Sequence, residues 1–199
     1  FELRPSGQLS REDLGPALPA DDLTLRAARA LQAASGSTQG AHLSVLKRIP
    51  AQAGMGGGSS DAASTLLALN RLWGLHLGLA ELRRIGLTLG ADVPFFLCGR
   101  NAWVEGIGET ITPLVNDSQL PKARFVVVKP AAGLETKNIF SSPFLKRDSD
   151  SATIAGFTAM HYDFGRNDLQ SVAQTLCPDI TQAINWLASH GLHGKMTGS

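Results

Sequence analysis

The chain is short of cysteine, of uniform charge and of long apolar runs. Its 199 residues include two cysteines, Cys98 and Cys177. They stand far apart, fit no metal spacing and read as buried reduced thiols, which points to a reducing, cytoplasmic compartment. The five histidines, His42, His76, His161, His190 and His193, form no metal pattern either and read as surface or loop residues. No stretch approaches the roughly 20 apolar residues of a membrane span, and no basic-then-apolar leader opens the sequence. Lys and Arg number 18 against 17 Asp and Glu, a formal net charge of +1, mixed along the chain. Nucleic-acid proteins and polybasic membrane binders need a clear cationic excess. The near-neutral balance therefore predicts no nucleic-acid and no membrane partner.

What the chain does have is 43% hydrophobic residues, enough for a packed core, and 21 glycines. Four of the glycines fall together in "PAQAGMGGGSSDAAS" (50–64). Before this stretch, Leu43, Val45, Lys47 and Ile49 alternate as a strand over 42–50, ended by Pro50. After it, a helix is expected from about Ser60 to Leu72, with Ala62, Leu66, Leu69 and Trp73 on one stripe. Strand, glycine turn, then a helix opened by serine is an arrangement that holds anions. First-turn N–H groups point outward, the helix dipole adds partial positive charge, and glycine lets the backbone come close. Ser59 and Ser60 can cap the helix or turn a hydroxyl to a phosphate or a metal ion. A P-loop is excluded because no lysine follows the glycines. A dinucleotide fingerprint fails because Ser59 stands where its last glycine belongs. A flexible linker would have polar neighbours, and this loop has amphipathic ones.

Further helices are expected over 20–35, capped by Asp21 or Asp22 with Thr24, Ala27, Ala28, Leu31 and Ala34 inward, and over 78–90. The second turns Leu82, Ile85 and Leu89 inward and Arg83 and Arg84 outward, and stops at Gly90. "DVPFFLC" and "AWVEGIGETITPL" read as short strands, the latter with a glycine turn between Glu105 and Glu109. "ARFVVVKP" (123–130) reads as an interior strand, and 141–153 as a loop. A helix from Asn167 is expected to bury Leu169, Val172, Ala173 and Leu176. Another after Pro178 is expected to bury Ile180, Ala183, Ile184 and Leu187. Interleaved helices and strands give an α/β or α+β class. Pro113, Asn116, Asp117, Ser118 and Pro121 mark a boundary near Thr112–Ala123.

Taken in order, five segments resemble the GHMP kinases. "PAQAGMGGGSSDAASTLLALNRLWGL" (50–75) is similar to the second family motif, and "LGADVPFFLCGRNAWVEGIGETITPL" (89–114) to the stretch around the catalytic aspartate. "VVKPAAGLETKNIF" (127–140), "RNDLQSVA" (166–173) and "GKMTGS" (194–199) are similar to later segments, the last to the opening of the third motif. The resemblance implies an α+β two-domain fold: a first domain like domain 2 of ribosomal protein S5 over 1–112 that binds ATP, and a ferredoxin-like second domain over 113–199. Both would be incomplete. The family's "P-A-K-I-N-L" and "D-G-Y-H" segment is not found, and the third motif stops short, so an internal piece of a longer kinase, inactive by itself, is expected.

The same resemblance implies ATP and Mg²⁺ as cofactors. Gly54, Met55, Gly56, Gly57, Gly58, Ser59 and Ser60 would hold the ATP phosphates, with Lys47 and Pro50 bordering the nucleotide. It assigns no Mg²⁺ ligand. Asp92 would touch the substrate and accept the proton of the attacking hydroxyl. Its setting in "GADVPFF" reads as a carboxylate among apolar residues, which needs a partner; capping the next turn or pairing with Arg100 are the structural alternatives. Phe140 would stack on a cytosine ring and Thr136 would touch the substrate. Asp61 adds negative charge to the helix start, and Asp22 stands where relatives have an Asn near the adenine. The implied reaction is ATP-dependent phosphorylation of the 2-hydroxyl of a cytidine diphosphate-linked methylerythritol, a step of non-mevalonate isoprenoid precursor biosynthesis. Another GHMP-type kinase with a different alcohol, or a nucleotide-binding module without catalysis, are the alternatives.

Overall fold

The computed structural model describes residues 1–50, 53–114 and 120–198. Its described residues fall into two units: 1–50 with 56–114, and 53–55 with 120–198. The first unit opens on three short strands, β1 (Glu2–Arg4), β2 (Leu9–Asp13) and β3 (Gly40–Val45). Their order is β1-β3-β2. β3 runs antiparallel to β1 and parallel to β2, with Leu9 opposite Ala41 and Ser10 opposite His42. A parallel pair needs a crossover connection, and helix α1 (Leu23–Ser35) lies within it.

Strand alternation puts Leu9, Arg11 and Asp13 on one face of β2 and Ser10 and Glu12 on the other. Arg11 therefore shares a face with Leu9, and its side chain is only 7% exposed. A guanidinium so enclosed needs acceptors in every direction. Arg11 Nε donates to Asp13 Oδ1 at 2.7 Å and Nη2 to Asp13 Oδ2 at 3.1 Å. Nη1 pairs with Asp22, and the carbonyls of Leu18 and Pro19 each accept at 3.1 Å. Burial alone would lower the Arg11 pKa; the bonds and charges of Asp13 and Asp22 more than offset it, and the pKa is raised. The Leu18 N–H, 2.9 Å from Asp13 Oδ2, and then the Arg11 bonds hold the Asp13 carboxyl below the usual range. Nothing in the hydrophobic pattern of "LSRED" announced this strand, because charged residues take its inward positions.

In α1, Thr24, Ala27, Ala28 and Leu31 are buried as expected, whereas Ala34 is exposed, two residues before the left-handed C-cap Gly36. Asp22 is the N-cap. Its Oδ1 accepts from the Leu25 N–H at 3.4 Å and from Thr24 Oγ1 at 2.8 Å. β3 ends at Val45, so Lys47 and Ile49 lie in the following loop rather than in the strand. Helix α2 (Gly57–Leu72) buries Ala62, Leu66 and Leu69 along the expected stripe. Trp73 follows, its indole N–H donating to the Gly40 carbonyl at 3.1 Å. Helix α3 (Leu79–Leu89) buries Leu82 and Ile85. Leu89 is half-buried, Arg84 points outward to Glu81, and Arg83 is half-buried with its Nε out of water rather than fully outward.

"DVPFFLC" is not a strand but helix α4 (Val93–Cys98). Pro94 sits in its first turn, where its missing N–H is harmless, and Gly99 ends it at φ 69°. Those are helix start and stop signals, and in a six-residue segment they outweigh β-propensity. β4 (Ala102–Glu105) and β5 (Thr110–Pro113) form the expected hairpin, Val104 opposite Ile111. Leu31, Leu43, Leu66, Leu69, Leu82, Ile85, Val93 and Leu97 belong to one buried cluster.

The second unit contains α5 (Thr136–Phe140), α6 (Ile154–Met160), α7 (Gln170–Leu176) and α8 (Pro178–Ser189). Its buried cluster is Ile139, Leu145, Val172 and Ala173, with Leu134, Leu169, Ile180 and Met196 packed alongside. Residues 123–130 are not in a strand: Phe125 is 71% and Val126 62% exposed. An apolar run becomes an interior strand only when neighbours pair with both its edges, and it has none among the described residues. Leu176, expected inward, is exposed, and Ile180, Ala183, Ile184 and Leu187 are half-buried rather than buried. A cluster this small does not cover two helix faces. Part of the expected boundary, residues 115–119, lies outside the described residues, as do Ala51 and Gln52 of the glycine-rich stretch.

Candidate active site

The glycine-rich turn supplies a helix start with no side chain across it. Gly56 is the N-cap of α2 at φ 65°, with no side-chain capping bond. The first helical bond runs from the Ser60 N–H to the Gly56 carbonyl at 2.9 Å. Ser59 and Ser60 are thus inside the first turn, and neither caps the helix as expected. By helix geometry the N–H groups of Gly57, Gly58 and Ser59 have no partner one turn back. Neither serine hydroxyl makes a hydrogen bond among the described residues. A Cβ on Gly56 would stand 2.7 Å from the Phe96 ring, and one on Gly58 would stand 3.2 Å from Leu23 Cδ1. The turn is therefore walled by α4 and by the start of α1.

Lys47 reaches this turn from the loop after β3. Its ammonium lies 3.4 Å from the place of a Cβ on Gly57 and forms an ion pair with Asp61, one turn further into α2. The lysine side chain is only 13% exposed. Asp22 spends its carboxylate on Arg11 and on the cap of α1. Pro50 is exposed in the connecting loop and Met55 is 38% exposed.

Gly54 and Met55 group with the second unit. There Gly54, at φ 64°, accepts a bond from Thr197 Oγ1 at 3.1 Å. A Cβ on Gly54 would fall 2.1 Å from the Thr197 carbonyl oxygen, and one on Gly198 would fall 2.4 Å from Gly54 Cα. Asn167 holds this run in place, its Nδ2 donating to the carbonyls of Met196 at 3.1 Å and Gly198 at 2.7 Å. Asn167 and Thr197 were not singled out from the sequence, although their segments, 166–173 and 194–199, are among those that resemble the GHMP kinases.

Asp92 stands immediately before α4 with backbone already helical (φ −84°, ψ −16°), and its side chain does not cap. It is exposed, and among the described residues it makes no ion pair, with Arg100 or any other cation. The expectation of a carboxylate enclosed by apolar residues is corrected: Val93, Pro94 and Leu97 turn into the core, and Asp92 at the helix head stays in water. Phe96, whose N–H bonds the Asp92 carbonyl at 3.3 Å, is the residue that walls Gly56. The carboxylate is thus one helical turn along α4 from the wall of the glycine turn.

Thr136 and Phe140 begin and end α5 in the second unit. Ile139 is fully buried whereas Phe140 is 52% exposed, with its carbonyl accepting from Arg147 Nη2 at 2.7 Å. The aromatic face is presented to solvent and not consumed by core packing. Among the described residues, no three His, Cys, Asp or Glu side chains cluster as metal ligands.

Residues 22–100 match the GHMP kinases N terminal domain. The whole chain is 70% identical to a 4-diphosphocytidyl-2-C-methyl-D-erythritol kinase of Paracidovorax citrulli (strain AAC00-1) and 69% identical to one of Acidovorax sp. (strain JS42), spanning 70% of each. A crystal structure of a 4-(cytidine 5'-diphospho)-2C-methyl-D-erythritol kinase superposes with TM-score 0.73 at 31% identity, over 99% of this chain and 73% of that one. With that identity along its whole length, the chain belongs to the 4-diphosphocytidyl-2-C-methyl-D-erythritol kinases of the GHMP family.

Proposed function

We propose that this chain phosphorylates the 2-hydroxyl of 4-diphosphocytidyl-2-C-methyl-D-erythritol with ATP, in the non-mevalonate route to isoprenoid precursors. The observation that carries the reading is the side-chain-free start of α2, with Lys47 beside it. The residues present fit a nucleotide triphosphate: the amides of Gly57, Gly58 and Ser59 and the helix dipole lie at a helix start with no capping side chain, and the Ser59 and Ser60 hydroxyls make no hydrogen bond among the described residues. When bound, ATP supplies the phosphoryl group and Mg²⁺ offsets charge on its oxygens.

The chain's own part is positioning and proton transfer. The first-turn amides, with Gly54, Met55 and Ser60 completing the turn, orient the phosphates, and Lys47 adds a fixed positive charge. Pro50 borders the nucleotide. Phe140 offers its exposed ring to the cytosine, and Thr136 contacts the same substrate. Asp92 takes the proton from the attacking hydroxyl, and an exposed carboxylate with no ion pair among the described residues is free to do so once the alcohol arrives. The nucleotide turn belongs to a domain over 1–112 and the aromatic to one over 113–199. Two free thiols fit a cytoplasmic enzyme, and no helix among the described residues is long and apolar enough to cross a membrane.

ADP release by the full-length chain with this substrate tests the reading. Asp92→Asn should lower kcat by about 10²–10⁴-fold, the usual worth of a positioned base; an unchanged rate removes Asp92 from the chemistry. A different alcohol substrate becomes the better reading if cytidine 5'-diphosphate fails to compete. Nucleotide binding without turnover of any polyol would leave a non-catalytic module.

A further inference from the structure

Asp61 is an odd residue to find one turn inside a helix whose start is read as a triphosphate site. A carboxylate there favours the helix dipole, yet repels an incoming anion. The structure resolves the conflict through Lys47. Its stem is largely buried and its ammonium is paired to Asp61. The same ammonium sits 3.4 Å from where a Cβ on Gly57 would be, within van der Waals contact of the first turn of α2. Ile49 closes the other side, with its Cγ2 3.0 Å from that same point. Lysine is a compact charge on a flexible stem, and held by nothing it would sample many rotamers. Asp61 removes that freedom.

We propose that Asp61 is a positioning residue. It makes no contact with the nucleotide and acts by fixing the Lys47 ammonium beside Gly57 at the first turn of α2, while Lys47 cancels the repulsion Asp61 would otherwise exert on phosphate. This rests on the kinase reading of the turn, and it adds a sign to the expected energetics. Each partner alone is harmful to anion binding in a different way, so the two substitutions are coupled.

The test is a cycle in the full-length chain with Lys47→Met, Asp61→Asn and both together, read by equilibrium binding of a fluorescent ATP analogue and by KM and kcat. Asp61→Asn should weaken binding about 3–10-fold through KM with little change in kcat, the size of a pairwise coupling of about 0.5–1.5 kcal/mol. Lys47→Met should weaken it more, because it strands a carboxylate beside the phosphates. The double variant should bind better than Lys47→Met. Additive losses overturn the proposal, as does a steep rise in the Mg²⁺ needed by Asp61→Asn on the Lys47→Met background, which would make Asp61 a metal ligand. Asp61→Glu, which keeps the charge, should restore most of the affinity, so a misfolded Asp61→Asn does not end the test; no rescue in a folded Asp61→Glu also counts against it. Failure of the unsubstituted chain to bind the analogue would instead sink the nucleotide site itself.

Discussion

Single residues at the turn carry demands that a hydropathy pattern does not record. Gly56 is left-handed and touches the Phe96 ring. Gly56→Ala adds about 1–2 kcal/mol of backbone strain and pushes a methyl into that ring. The expected result is a thermal midpoint lower by several degrees and weaker nucleotide binding, both checked on the same preparation. Asp92 shows the opposite relation between sequence and site. Its apolar neighbours suggested enclosure, but they turn inward along α4 while the aspartate, one position before the helix, does not. Side-chain direction, which a linear reading does not weigh in so short a segment, decided the outcome.

At the level of elements, the stronger periodic signals were legible. α1, α2, α3 and the β4–β5 hairpin lie within a few residues of their expected places because capping, stripe and turn chemistry agree there. The misses have separate physical causes. α4 is too short to show a helical period. β2 turns charged residues inward, and residues 123–130 have no strand to pair with among the described residues. The Arg11 cluster makes β2 sensitive to acid in a way the pattern alone does not suggest. Asp13 has its carboxyl held low in the folded state by the Leu18 N–H and Arg11. Its stabilising contribution is therefore complete above the ordinary aspartate range, and it is lost as pH falls from about 4 through the depressed folded value. Denaturant titrations should show Asp13→Asn less stable than the unsubstituted chain at pH 7, with the gap closing below about pH 4. A gap constant across that range would contradict the pairing. Asp22→Ala removes both the α1 cap and one Arg11 partner, and should cost at least the ~1 kcal/mol of a lost N-cap.

Across the whole chain, the two units differ in how much apolar surface they enclose. The first buries a broad cluster running from Ala27 to Leu97, whereas that of the second is limited to Ile139, Leu145, Val172 and Ala173. Local opening follows local burial. Hydrogen exchange should therefore protect amides of α1 and α2 well beyond those of α5 and α7. Ile139→Ala, a truncation at a fully buried site, should cost about 2–5 kcal/mol and abolish protection in α5 and α7 while leaving α1 and α2 protected. Uniform loss across both units would show that they unfold as one.

The contact between Gly54 and Gly198 sets a further condition. A side chain on Gly54 would strike the main chain of Thr197, and one on Gly198 that of Gly54, and no second mutation can trim a backbone. In a saturation library these two distant codons should behave as a single locus: every replacement at either is rejected, and no change at its counterpart rescues it.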